Sequence, residues 1–141
     1  MNKRIVQQKL KEIEESLDLI TRSLPTKSEE FKVLGLTKDG IYKRLEFSIQ
    51  NLIDIFSMIY SSLNIGVPSS VDDIFDGLLE KKIFPKKILS RAAEMKGLRN
   101  ILTHRYGKID DKIVYELLTE KLDDFEEIVE SIEMYLNAKK N

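Results

Sequence analysis

The sequence predicts an all-α protein, an up-and-down bundle of four long helices and one short helix that forms a single domain over residues 1–141. Three observations predict it. Apolar residues recur at alternating steps of four and three along most of the chain, which lines one face of a helix and which a strand cannot use. No alternation of apolar and polar residues, no internal repeat and no low-complexity run interrupts that pattern. A chain of 141 residues, 42% hydrophobic and 33% charged, has the size and composition of one globular domain with a real core.

The first helix carries Val6, Leu10, Ile13, Leu17, Ile20 and Leu24 on one stripe and ends at Pro25. Ser23–Gly35 is mostly polar and reads as a connection. The second helix runs from about Lys38 to Leu63, with Leu45, Ile49, Leu52, Phe56, Ile59 and Leu63 inward. Ile41, Ile53, Ile55 and Tyr60 widen that stripe and predict the most buried helix of the bundle; Gly66–Val67–Pro68 stops it. Ser70, with Asp73 three residues on, is a helix start for a short segment reaching about Lys82. Pro85 opens the next helix, whose inward positions are Ile88, Ala92, Met95, Leu98 and Leu102, and which breaks near Tyr106–Gly107. The final helix begins at Asp110 or Asp111 and carries Ile113, Leu117, Leu118, Leu122, Phe125, Val129, Ile132 and Leu136.

Composition excludes several classes of function. There is no cysteine, so disulfides and thiolate metal sites are ruled out, and a reducing cytoplasm is the expected location. Charges throughout the first twenty residues argue against a secretory leader. The longest charge-free run, between Asp54 and Asp72, holds five serines, Asn64, Gly66 and Pro68, so no membrane association is expected. With one histidine, His104, the usual His/Cys metal sites cannot form within one chain. No EF-hand loop, phosphate-cradling glycine loop or G-x-S-x-G elbow is present, and neither metal nor cofactor is expected.

The net charge of −1 conceals an asymmetry. Between Lys81 and Lys112 stand ten basic residues against three acids, net +7; between Ile113 and Ala138 stand eight acids against Lys121, net −7. Such a split suits a polyanion or an acidic partner meeting the basic part, and equally suits two solvated helix faces that pair with each other.

The remaining candidate site is the string Arg99-Asn100-Ile101-Leu102-Thr103-His104-Arg105-Tyr106. On a helix Asn100 and His104 share a face one turn apart, and Arg99, Thr103 and Tyr106 lie on an adjoining one. Leu98 and Leu102 take the core side, and Gly107 supplies the turn. A lone histidine near a helix end also reads as a capping or surface residue. What these residues leave available is a metal-free site built around His104.

Arg99 and His104, with four residues between and polar Asn100 after the arginine, match the R-x4-6-H motif of HEPN domains; Tyr106 completes R-x4-H-x-Y. The stretch MKGLRNILTHRYGKID, the second-helix stretch Leu45–Ile55 ending LIDI, and the order of elements from Val67 to Tyr115 carry the same resemblance. The chain therefore resembles the HepT-like toxins over most of its length, from about Ile5 to Tyr135. The resemblance implies a homodimer with both motifs lining one cleft, and metal-independent endoribonuclease activity with Arg99, His104 and Asn100 in the catalytic site. It also implies an MNT-type nucleotidyltransferase antitoxin that attaches AMP to the motif tyrosine, by position Tyr106. The residues agree with the implied activity. RNA cleavage without metal needs a base for the 2′-hydroxyl, an acid for the leaving oxygen and positive charge at the phosphorane. One histidine cannot easily serve both ends, and the implied dimer supplies two. Arg99 offers a fixed fork for phosphate oxygens, and Arg105, Lys96 and Arg91 would hold the RNA backbone electrostatically. Two other readings stay open. One is a non-catalytic HEPN-type binding partner of a nucleotidyltransferase, and the other is a plain structural helical protein.

Overall fold

Asn2 opens the first helix, its side-chain oxygen accepting from the Ile5 amide at 3.2 Å. The computed structural model describes residues 1–104 and 106–139. Helix α1 (Lys3–Ser23) buries Val6, Leu10, Ile13, Leu17 and Ile20, the expected stripe. It lies along α3 (Leu36–Ser62), which buries twelve residues, more than any other helix. Helix α5 (Lys86–His104) lies against α3, and α7 (Leu122–Ala138) against α5 and α1, so four long helices close a ring around one hydrophobic cluster. Successive members run antiparallel. Lys9 meets Asn51 and Asp54 while Arg44 reaches back to Ser16. Across the next seam Arg99 meets Gln50 while Thr103 meets Glu46. The short α4 (Val71–Glu80) starts at Ser70, whose hydroxyl accepts from the Asp73 amide at 3.1 Å. It closes one end of the ring, where the Phe56 ring packs edge-on against Phe75 and Phe84. Among the described residues no helix is long and apolar enough to cross a membrane.

The architecture departs from the expected four long helices and one short one in two places. The first is the connection Ser23–Gly35, which holds a one-turn helix, α2 (Ser28–Lys32). Its single apolar side chain inside the helix, Phe31, is fully buried. It sits between the rings of Tyr42 at 5.8 Å and Tyr115 at 5.4 Å. The second is the C-terminal helix, which divides at Lys121 into α6 (Asp111–Glu120) and α7. The two halves pack on different targets, α6 on α2 and α7 on α5 and α1, and one straight helix cannot reach both. Asp123 and Asp124 occupy the first turn of α7, where carboxylates are favoured. Ile113, one of the apolar positions of the expected final helix, lies out in solvent at 61% exposure.

At the α1–α7 seam, partial burial, a hydrogen bond with Glu126 and the charges of Glu126, Glu133 and Glu130 push the Glu14 carboxyl up to about 7. Its folded value lies above the ordinary 4.5, so the neutral form favours the fold. That contribution is complete below the ordinary value and is lost as pH rises through about 7. Glu14→Gln should therefore raise the urea midpoint over wild type at pH 8, with the gain fading toward pH 5. Parallel midpoints across that range would show that the carboxylates do not repel one another.

Candidate functional site

The C-terminal half of α5 brings the motif to the surface. Leu102 faces the core, almost wholly buried, and fixes the rotation of the last turns. Around it Arg99 and Asn100 are half-buried, while Ile101, Thr103 and His104 are exposed. His104 is the last residue of the helix, and a 3-10 turn over Tyr106–Lys108 follows. Arg99, Asn100 and His104 thus stand together at one end of α5, with Asn100 one turn before His104. Arg105 and the side chain of Tyr106 lie outside the described residues.

Helix α3 supplies the partners of this end. Arg99 donates from Nη1 to Gln50 Oε1 at 2.6 Å, while its Nε is buried with no acceptor among the described residues. Thr103 donates to Glu46 Oε1 at 2.7 Å, and Lys43 pairs with the same carboxylate at 3.2 Å. The hydrogen bond from Thr103, then Lys43 and the charge of Arg99, outweigh burial and hold the Glu46 carboxyl below its ordinary value. Beside this pair a cavity of about 280 Å³ is lined by Asp39, Tyr42, Lys43, Glu46 and Leu102. Its far wall is tied to α6. Asp111 accepts from the Tyr42 hydroxyl and pairs with Lys38 at 2.9 Å. Burial alone would raise the Asp111 carboxyl, yet these contacts, with the charges of Lys38 and Lys32, lower it. The bridge clamps the chain just after the 3-10 turn.

The other two basic candidates stand farther back along α5 and have acidic partners. Arg91 pairs with Asp124 at 3.4 Å and with Glu127, to which Lys87 also reaches at 3.7 Å. Lys96 pairs with Asp72 of α4 at 3.1 Å. Part of the basic stretch is therefore matched to the acidic α7, the pairing of faces that the charge asymmetry allowed. Sequence reasoning missed Gln50, Glu46 and Asp54. They lie at steps of four on α3, 46, 50 and 54, which puts them on one face of that helix, and that spacing was the available signal.

The fold and the motif end of α5 together define a small helical protein with an Arg–His surface site. The model of the HepT-like family, ribonuclease HepT-like, matches residues 13–132, and the chain belongs to that family. It is 28% identical to the mRNA nuclease HepT of Shewanella oneidensis over 103 residues, 73% of this chain and 77% of that one. A structure of the tri-AMPylated Shewanella oneidensis HEPN toxin in complex with its MNT antitoxin superimposes with a TM-score of 0.83. The two chains are 26% identical, and the match covers 95% of this chain and 99% of that one. A tyrosine-to-alanine mutant of the toxin–antitoxin pair MntA–HepT superimposes with a TM-score of 0.82 at 25% identity, covering 92% and 98%.

Proposed function

We propose that this chain is the toxin of a toxin–antitoxin pair: a cytoplasmic, homodimeric, metal-independent endoribonuclease that uses Arg99 and His104 and is neutralised by AMP transfer to Tyr106. The observation that carries the reading is the placement of Arg99 and His104 at the accessible end of α5 in a chain of the HepT-like family. In the reaction a base takes the 2′-hydroxyl proton, the 2′-oxygen attacks phosphorus, and the 5′-oxygen leaves with a proton from an acid. His104 of one copy serves one transfer and His104 of the second copy the other. Arg99 clamps the phosphate oxygens with its planar fork. Asn100 orients His104 from one turn away. Exposed Ile101, inside the motif, offers apolar surface to the second copy. Arg105, Lys96 and Arg91 hold the RNA backbone, the last two by exchanging carboxylate partners for phosphates. No cofactor takes part.

The partner in this reading is an MNT-type nucleotidyltransferase antitoxin. Adenylylation places a phosphate and a base beside Arg99, Arg105 and His104, where the phosphate competes for the cations that RNA needs. A second reading, a non-catalytic binding partner of that enzyme, is favoured by one observation: Arg91 and Lys96 are already matched by carboxylates. One experiment separates the two. Purified chain free of partner should cleave RNA in EDTA, and co-expression with the nucleotidyltransferase should end cleavage while adding adenylyl masses to Tyr106. Mass addition without any cleavage by the free chain would favour the binding partner. A label on another residue, with Tyr106→Phe still neutralised, would remove Tyr106 from the mechanism.

A further inference from the structure

Arg99 hangs at the end of a hydrogen-bonded chain that crosses the bundle. Gln50 receives Arg99 Nη1 on its oxygen at 2.6 Å and donates its amide nitrogen to Asp54 Oδ1 at 2.9 Å. Asp54 pairs through its other oxygen with Lys9 of α1 at 3.4 Å. The Lys9 ammonium also donates to Asn51 at 3.3 Å, and the Asn51 amide to Glu12 at 3.2 Å, so Lys9 and Asn51 are themselves held. Polarity runs one way along this chain. A carboxylate only accepts, so Asp54 must take the NH2 end of Gln50 and leaves the oxygen end toward α5. A Gln50 turned over would present its NH2 to a guanidinium, which has donors only.

We propose that Asp54 is a positioning residue for Arg99: it locks the Gln50 amide in the one orientation that accepts from the guanidinium and so sets the fork of Arg99 at the surface. The inference rests on the proposed role of Arg99 as phosphate clamp. The lock has a visible cost, since Arg99 Nε is buried with no acceptor among the described residues. An arrangement selected for stability alone would satisfy that donor, whereas a functional site tolerates such a departure. Asp54 is the one charged residue of the apolar run Leu52–Ile55.

The test uses full-length protein, a short single-stranded RNA as substrate and two substitutions of unchanged size. In Asp54→Asn the Gln50 amide is free to turn, and kcat should fall about tenfold or more with a smaller change in KM. The double variant Gln50→Glu with Asp54→Asn puts an acceptor toward Arg99 and an NH2 donor behind it, and should restore most of the loss. A role limited to the Lys9–Asp54 ion pair predicts no rescue, because the double variant lacks that pair as well. An activity-free readout runs in parallel: exchange of the Arg99 Nε proton with solvent, followed by NMR. It should be slow in wild type, faster in Asp54→Asn and slow again in the double variant. If wild type cleaves no RNA, the nuclease reading fails while this exchange pattern still decides the positioning role. Unchanged exchange and cleavage in Asp54→Asn, or a double variant no better than the single one, overturns the inference.

Discussion

His104→Ala is expected to abolish RNA cleavage by the purified chain, a fall of at least about 100-fold, the usual contribution of a positioned acid or base. His104 is the sole histidine of the sequence, so no neighbouring imidazole of the same chain can substitute. It is exposed at the last position of α5, so its removal leaves the core intact and helicity should not change. Arg99→Lys should fall well below wild type too. It keeps the charge but loses the planar fork that meets Gln50 and that the proposed phosphate clamp requires. Mixing His104→Ala with Arg99→Lys subunits provides a further check: a composite site across two copies predicts a different activity from the average of the parents. Cleavage assays in EDTA with each variant measure the effect. Full activity in both single variants would mean that the chemistry lies elsewhere.

Phe31→Ala is expected to cost about 3–5 kcal/mol, the range for emptying a buried aromatic site. In thermal unfolding that is a drop on the order of 10 °C. The size follows from the packing. Phe31 has no exposed surface and packs between Tyr42, edge-on, and Tyr115, tilted, and the Tyr115 hydroxyl donates to the Pro25 carbonyl at 2.6 Å. One side chain therefore fastens α2, the start of α3 and α6. Tyr42 also holds Asp111, so the loss should loosen the segment that follows the motif and reduce cleavage alongside stability. A shift below about 2 °C would show that α2 is only a surface connection.

The long helices were legible because each carries a continuous apolar stripe at helical spacing. Val6 to Ile20, Leu45 to Ile59 and Phe125 to Leu136 are buried where that spacing puts them. Helix α2 was not legible, because one buried phenylalanine among five residues makes no period. The break at Lys121 was hidden for the opposite reason, since the apolar spacing runs on through a bend that contains neither glycine nor proline. Its trace was the acidic pair Asp123 and Asp124 at the new helix start.

At the site, the sequence by itself determined the helical class, the family resemblance and the motif Arg99–Tyr106, because all three depend on residue types at short, fixed spacings. The tertiary structure alone decided what each cation faces. Arg91 and Lys96 look like free basic charge in the sequence, yet folding sets them against Asp124, Glu127 and Asp72, 24 or more positions away. Gln50 becomes a neighbour of Arg99, and Asp54 reaches it through Gln50, because packing of α3 against α5 brings positions 49 residues apart within 2.6 Å. Hydrogen bonds and ion pairs act over a few ångströms of space and are indifferent to distance along the chain. The partners of a charged group are therefore fixed by packing, which the spacing of its own helix does not contain.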